Sequence, residues 1–295
     1  MKIWYKIASH FNINFRPERN MVKQQSKACF TAGMASIVGG RESQQDNYQL
    51  ISTSDVGEQS IFKPNCPTPR QSGSMIVAAL TDGVGGQAAG DIAALLAAES
   101  FTESIQTKLC EQETTDCKTL MLDAVSDANL AIDIAINSDK SYTGMATTLV
   151  GVILNDQGLN WLSVGDSHLY LIRNEKIMKL NADHSMGALI DQDYSMGKIT
   201  HAEAMNAPYR NVILSCLSGK KIELIDLYDS DWELSATDKL VLASDGLDSI
   251  SHEQILTIVL QENDPQQCAQ ALINAVEDRK REYQDNTTVI VLHCG

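Results

Sequence analysis

The tripeptide Gln-Asp-Asn occurs at residues 45–47 and again at residues 284–286. Each copy leads into a β-branched, apolar run, NYQLIST in the first case and TTVIVLHC in the second. Such runs read as strands. Two more acids mirror this pair. Asp82 closes the apolar run SMIVAAL and precedes Gly83, and Asp245 closes DKLVLAS and precedes Gly246. A carboxylate therefore stands at the mouth of four predicted strands, two at C-terminal ends and two at N-terminal starts. In antiparallel neighbours the end of one strand lies beside the start of the next. All four acids, from both ends of the chain, can thus meet at one sheet edge.

Four carboxylates in one place repel one another unless a cation sits among them. An all-oxygen donor set suits hard divalent ions, magnesium or manganese, with water completing the shell. No His or Cys joins these motifs, which argues against zinc. The glycines let backbone approach closely, so the Gly83 carbonyl is a further candidate donor. Taken singly, an Asp-Gly pair is usually a turn. The weight lies in four such sites, each abutting a strong strand.

The remaining order is readable from periodicity. Residues 28–40 predict a strand with 47–53 as its hairpin partner, and 54–74 a polar surface loop. Helical spacing follows at 90–109 and 118–137. Close-set strands come next (146–155, 159–166, 168–174, 176–180), joined by turns at 155–158 and 173–176. Residues 184–220 have no clean period and read as a flap over a site. A buried strand at 238–246, helices at 251–261 and 264–282, and a strand at 287–294 complete the chain. Asp264-Pro265 fits an N-cap followed by Pro at the first helical position. Helix pairs segregated from strands predict an α+β fold.

A formal charge of −15 repels a phosphate backbone, so no nucleic-acid partner is expected. Seven cysteines, an odd number without CxxC spacing, disfavour a disulfide scaffold or zinc ribbon and fit a reducing, cytoplasmic setting. Cys66-Pro-Thr-Pro-Arg70 is too short to wrap a phosphate as a cysteine phosphatase loop does. No membrane span is expected, because no run of about 18 apolar residues occurs. Residues 1–25 form an N-terminal extension in which Ile3, Trp4, Ile7, Phe11 and Phe15 recur at helical spacing. A loosely ordered extension is preferred there over a surface-binding helix. Met21 is an alternative start, since strand-like sequence begins only near Cys29.

In order along residues 29–294, the chain resembles the metal-dependent serine/threonine protein phosphatases of type 2C, the PPM family, in a bacterial-like form. The resemblance rests on Arg41-Glu-Ser-Gln-Gln-Asp46, Asp82-Gly-Val-Gly-Gly86, Gly144-Met-Ala-Thr-Thr148, Gly165-Asp166-Ser167, Asp183-His-Ser185, Arg210-Asn-Val212, Ser244-Asp-Gly246 and Asp285-Asn-Thr-Thr288. Each motif is weak alone, but eight in order are specific. The resemblance implies a four-layer α-β-β-α sandwich with two central antiparallel sheets. Residues 26–295 would be the catalytic domain, with a flap at about 186–220.

It also implies a two-metal centre of Mn2+ or Mg2+. Asp82 would bridge, the Gly83 carbonyl would bind one ion, and Asp245 and Asp285 the other. Asp46 would act close to the metals, and Asp166 with Asp245 would hold a weaker third ion. Arg41 would grip the substrate phosphate, with Arg41, Asp46 and Asp82 counted as catalytic. The implied reaction is hydrolysis of phosphoserine and phosphothreonine by a metal-activated water, without a covalent intermediate. The implied partners are phosphoproteins made by a serine/threonine kinase, and the implied state is a monomer.

Three positions depart from the family pattern: Gln45 replaces an acid, Val84 a candidate proton donor, and His168 a common arginine. His168 is expected to be a packing or surface residue and His184 a turn residue. One alternative is a non-catalytic phosphatase-fold protein that binds a phosphoprotein or regulatory partner. Another, a calcium loop at 191–202, is weak, because Gly197 and Ala202 break the required pattern.

Overall fold

The computed structural model describes residues 30–53, 59–62, 71–73, 75–84, 89–111 and 116–295. The expectations for residues 1–25, for the Cys66 segment and for Gly85 and Gly86 fall outside the described residues. Strands β1 (Phe30–Ile37), β2 (Asp46–Thr53), β3 (Gln59–Phe62), β4 (Gln71–Gly73) and β5 (Met75–Val84) come first. Helices α1 (Gly90–Cys110) and α2 (Cys117–Ser138) follow. Next are β6 (Ala146–Thr147), β7 (Leu149–Asn155), β8 (Gly158–Val164), β9 (His168–Arg173) and β10 (Lys176–Lys179). Helices α3 (Met186–Ser195) and α4 (His201–Met205) precede β11 (Asp226–Trp232) and β12 (Lys239–Ala243). Helices α5 (His252–Gln261) and α6 (Pro265–Glu277) and strand β13 (Thr287–Cys294) close the order.

One sheet runs β10-β9-β12-β13-β1-β4 and the other β11-β8-β7-β5-β2-β3, with β6 continuing beside β5. The pairings are antiparallel. Strand alternation sorts side chains into layers. On β7, Val150, Val152 and Leu154 enter the space between the sheets, while Leu149 and Ile153 face α1 and α2. On β13, Ile290 and Leu292 point into the sandwich, while Val289 and Val291 meet α5 and α6. The result is the α-β-β-α sandwich. Strands buried on both faces explain why these runs read as continuously apolar. Each fully buried Leu or Ile contributes roughly 2 kcal/mol.

Local signals set the boundaries. Ser251 and Gln254 form a capping box at the start of α5. Asp264 accepts from Gln266 and Gln267 N–H, and Pro265 opens α6. The β9–β10 turn places Asn174 and Glu175 at φ 51° and 58°, the primed geometry that matches strand twist.

Five expectations are corrected. Strands β1 and β2 are not a hairpin: β1 pairs with β13 and β4, and β2 with β5 and β3. Both have apolar inner faces, Ala32 and Met34 on one and Tyr48 and Leu50 on the other, which face each other across the sandwich. The link 38–45 carries the chain from sheet to sheet. The loop at 54–74 contains β3 and β4. The flap contains α3 and α4, too short for periodicity to reveal. Strand β11 was unforeseen because its acidic sequence DLYDSDW hides an edge strand. Strand β5 continues through Asp82 to Val84, so this acid lies within a strand rather than past its end.

At the far end of β9, Arg173 Nε donates to Asp238 Oδ1 at 2.9 Å and Nη2 donates to Oδ2 of the same carboxylate. Asp238 is fully buried and also accepts from Ser235 N–H. Breaking a buried pair leaves an uncompensated charge. Asp238→Ala is expected to lower stability by about 3 kcal/mol, measured as a fall in the urea midpoint at unchanged slope.

Candidate active site

Asp46 opens β2 and lies directly across from Asp82 of β5 in the antiparallel register. In the other sheet, Ala243 pairs with Val289 at the ends of β12 and β13. Asp245 follows β12 by two residues and Asp285 precedes β13 by two. A hydrogen bond across the sandwich joins the two pairs: Ser244 Oγ donates to Asp46 Oδ2 at 2.7 Å. Ser244 Oγ in turn accepts from Thr288 N–H at 3.0 Å. The four acids therefore share one end of the sandwich.

The residues around them hold backbone rather than substrate. Thr147 Oγ1 and Thr148 N–H both donate to the Asp82 carbonyl at 2.8 Å, and Asp82 N–H donates to Thr148 Oγ1 at 3.1 Å. Thr148 Oγ1 also meets Ser167 Oγ at 2.7 Å, linking β5 to the Gly165-Asp166-Ser167 turn. Gly165 has φ 105°, open to glycine but strained for other residues. Asn286 is buried and spans three segments. Its Oδ1 accepts from Gln45 N–H, and its Nδ2 donates to the Val38 and Ser43 carbonyls. Gln284 Nε2 donates to the Gly246 carbonyl. A Cβ on Gly246 would lie 2.0 Å from the Asn286 carbonyl oxygen. In the second Gln-Asp-Asn, the flanking amides thus brace the loops that carry Asp245 and Asp285. In the first, Gln45 binds through its backbone, its carbonyl accepting from Gly83 N–H.

The electrostatics record the crowding. Burial, then Asp46 and Asp245, hold Asp82 well above the usual carboxylate range. Burial pushes Asp46 up to about 6, against the Ser244 hydrogen bond. Burial, then Asp166 and Asp285, push Asp245 up to about 7. Asp166 is raised by burial and then by Asp183. Asp46 Oδ1 is buried without a hydrogen-bond partner. Mutually repelling carboxylates with an orphaned oxygen fit a hard divalent cation by charge and donor type. Among the described residues, no three acidic, imidazole or thiol groups already converge on one point, so holding an ion requires these side chains to turn inward.

Arg41 lies on the rim, its side chain 54% exposed, with Nη2 donating to Asp285 Oδ2 at 2.6 Å. Asp285 raises its guanidinium further. Asp166 opens into a cleft of about 200 Å3 shared with Asp245, Asp183 and the flap residues Arg210 and Asn211. Arg210 Nη2 donates to both carboxylate oxygens of Asp191, at 2.9 and 2.8 Å. The calcium-loop alternative is thereby corrected: Asp191 and Asp193 lie in helix α3 and pair with Arg210 and Lys198.

His184 is buried, and its Nδ1 accepts from Gly165 N–H at 3.2 Å. Burial lowers its pKa, so it braces the turn as a neutral ring. His168 is buried beside Tyr170 and Asp248. Sequence reasoning did not single out Ser244 or Asn286 for the roles they play. The available signal was a small polar residue directly beside each motif acid.

The family model described as Protein phosphatase 2C matches residues 66–280. Serine/threonine protein phosphatase PstP of Mycobacterium tuberculosis is 32% identical over 216 residues, covering 72% of this chain and 39% of PstP. Serine/threonine phosphatase stp of Listeria monocytogenes is 29% identical over 182 residues, covering 62% of this chain and 70% of stp. Among solved structures, the M. tuberculosis serine/threonine phosphatase PstP/Ppp superposes with a TM-score of 0.69 at 25% identity, covering 90% of this chain and 98% of that one. The PstP catalytic domain in complex with 2 manganese ions has the same fold, with a TM-score of 0.67 at 24% identity over 90% of this chain and 99% of that one. The chain belongs to the protein phosphatase 2C family.

The raised carboxylates fix a pH dependence. Their folded-state values exceed the unfolded one, so the native state binds more protons, and stability falls as pH rises from about 4 through about 7. In EDTA, the thermal midpoint is expected to be lower at pH 8 than at pH 5.5, and added Mn2+ to restore it at pH 8. An EDTA midpoint that rises with pH over that interval contradicts this account of the cluster.

Proposed function

We propose that this chain is a metal-dependent protein serine/threonine phosphatase whose centre is the four-carboxylate cluster. The observation that carries the reading is the meeting of Asp46, Asp82, Asp245 and Asp285 at one end of the sandwich, with Asp46 Oδ1 unpartnered. Asp82, Asp245, Asp285 and the Gly83 carbonyl would hold two Mn2+ or Mg2+ ions, with Asp46 acting close to them. Asp166 and Asp245 would hold a weaker third. The manganese ions in the related PstP catalytic domain support this assignment. When bound, such ions supply Lewis acidity toward phosphoryl oxygens and toward water.

The chain's own residues do the rest. Arg41, on the rim, offers planar paired donors to the phosphoryl oxygens as charge spreads over them. To do so it exchanges Asp285 for substrate. Ser244 keeps Asp46 aimed at the cluster by taking up one carboxylate oxygen. Thr147 and Thr148 fix the Asp82 backbone, so this acid is positioned before substrate arrives. No thiolate nucleophile is needed. The Cys268 and Cys294 thiols are pushed up to about 12 by burial. Gln45 and Val84 leave no protonatable side chain at those two positions, so proton donation to the leaving oxygen falls to solvent.

The same reading has the enzyme act as a monomer in the cytoplasm, on phosphoproteins made by a serine/threonine kinase. The phosphatase names of its relatives support the substrate class. Among the described residues no helix is long and apolar enough to cross a membrane.

Hydrolysis of p-nitrophenyl phosphate and of a phosphothreonine peptide is expected to require Mn2+ or Mg2+, to stop in EDTA, and to vanish in Asp245→Ala. Arg41→Ala is expected to lower kcat/KM by about a hundredfold. Folded protein that turns over neither substrate with any divalent ion would instead favour the non-catalytic binding alternative.

A further inference from the structure

The rim of the carboxylate centre carries rings that the phosphatase reading leaves unused. Among the described residues, the two most exposed large apolar or aromatic side chains are Tyr283, 85% exposed, and Tyr209, 75% exposed. Both border the centre. Tyr283 stands two residues before Asp285, whose carboxylate Arg41 holds. Tyr209 precedes Arg210 and Asn211, which line the cleft with Asp166 and Asp245. The strand order β9-β12-β13-β1 places that cleft and Arg41 on opposite sides of the centre. One tyrosine therefore stands on each side.

Neither ring stands on loose chain. Gln284 N–H donates to the Arg281 carbonyl at 3.3 Å, closing a turn around Glu282 and Tyr283. That turn rests on the link that follows β1. Gly40 N–H donates to the Gln284 carbonyl at 2.7 Å, and a Cβ on Gly40 would lie 2.7 Å from the Glu282 carbonyl oxygen. Tyr209 has φ 66°, a left-handed conformation that a bulky residue keeps only under constraint. The constraint is local: Val212 N–H donates to the Tyr209 carbonyl at 3.0 Å, and Gly187 N–H to the Arg210 carbonyl at 2.8 Å. Each of these segments also exposes a valine, Val38 on the link and Val212 on the flap. Single exposed apolar residues are common on any surface. Braced aromatic rings with apolar neighbours on both flanks of one centre mark a surface for a partner, and a rigidly mounted tyrosine binds at low conformational-entropy cost.

We propose that Tyr283 and Tyr209 determine substrate choice. They receive apolar or aromatic side chains that flank the phosphorylated residue of an extended phosphopeptide lying across the centre. The occupant is substrate because the rings are continuous with the place where Arg41 and the carboxylates would hold its phosphate. The inference rests on the phosphatase reading for that placement. Its test includes a binding measurement that needs no turnover, so the two can fail separately.

Three peptides are compared with Mn2+ present, differing only in the residues beside phosphothreonine: leucine and phenylalanine, serine, or lysine. Acetyl-phosphothreonine amide, which has no flanking residues, is the control. Wild-type protein is expected to show a kcat/KM about tenfold higher on the apolar peptide than on the serine peptide. Tyr283→Ala and Tyr209→Asn are each expected to lower that preference about threefold and to leave the control rate unchanged. Asparagine is used at 209 because it tolerates positive φ. Equal rates on the apolar and serine peptides, or a preference for lysine, overturn the proposal in wild-type protein, with no variant needed. A preference that survives in the folded double variant overturns it too. So does a double variant altered in sedimentation alone, which would seat a second copy of this chain on the rings. Phosphonate peptides that cannot be hydrolysed supply the binding measurement, read by fluorescence anisotropy. Apolar-selective binding by a protein that turns over nothing supports the rim and refutes the reaction.

Discussion

The fold is organised around a repulsion. Asp46, Asp82, Asp245 and Asp285 are brought to one end of the sandwich although burial and neighbouring carboxylates make Asp46, Asp82 and Asp245 harder to ionise there. Free energy to hold them there must come from elsewhere. It comes from strands buried on both faces, whose apolar side chains lock β2 against β5 and β12 against β13. It comes also from short polar ties between the sheets, among them Ser244 to Asp46 and Gln45 to Asn286. The acids sit at strand mouths because only there can a carboxylate reach solvent or an ion while its neighbours in sequence stay in the core.

Much of this was legible in the chain itself. Strands β5, β7, β12 and β13 announce themselves as short apolar runs, and α1, α2, α5 and α6 by spacing and caps. The antiparallel rule then gathers the strand-end acids at one edge, and the register shows which face each other, Asp46 lying opposite Asp82. What failed is what local pattern does not encode. Whether β1 pairs with β2 or stacks over it depends on which apolar face meets which, a decision taken by the whole core. The flap helices and β11 were missed because short or acidic elements take their stability from tertiary contacts.

The candidate site divides in the same way. The acids were legible because a strand adjoins each, with glycine after Asp82 and Asp245 and the repeated Gln-Asp-Asn around Asp46 and Asp285. The supporting polar groups were not. Ser244, Thr148 and Asn286 look like ordinary strand-end residues until the register shows what they reach. His168 is the most instructive position. It departs from the family pattern and is expected to pack or lie on the surface; its burial fits packing, and the ion pair with Asp248 at the edge of a cleft is what no local pattern shows.

The crowding of the carboxylates has a consequence for how the protein exchanges matter with its surroundings. Burial and mutual repulsion raise Asp46 to about 6 and Asp245 to about 7, so under the proposed metal assignment a cation entering the cluster would expel the protons they retain. Metal loading and proton release become two sides of a single event. Acid conditions then act as a competitor for the metal, and scarcity of metal leaves the cluster buffered by hydrogen ions. The acidic cluster would thus integrate two ionic supplies, reporting metal and proton levels together as a single state of occupancy.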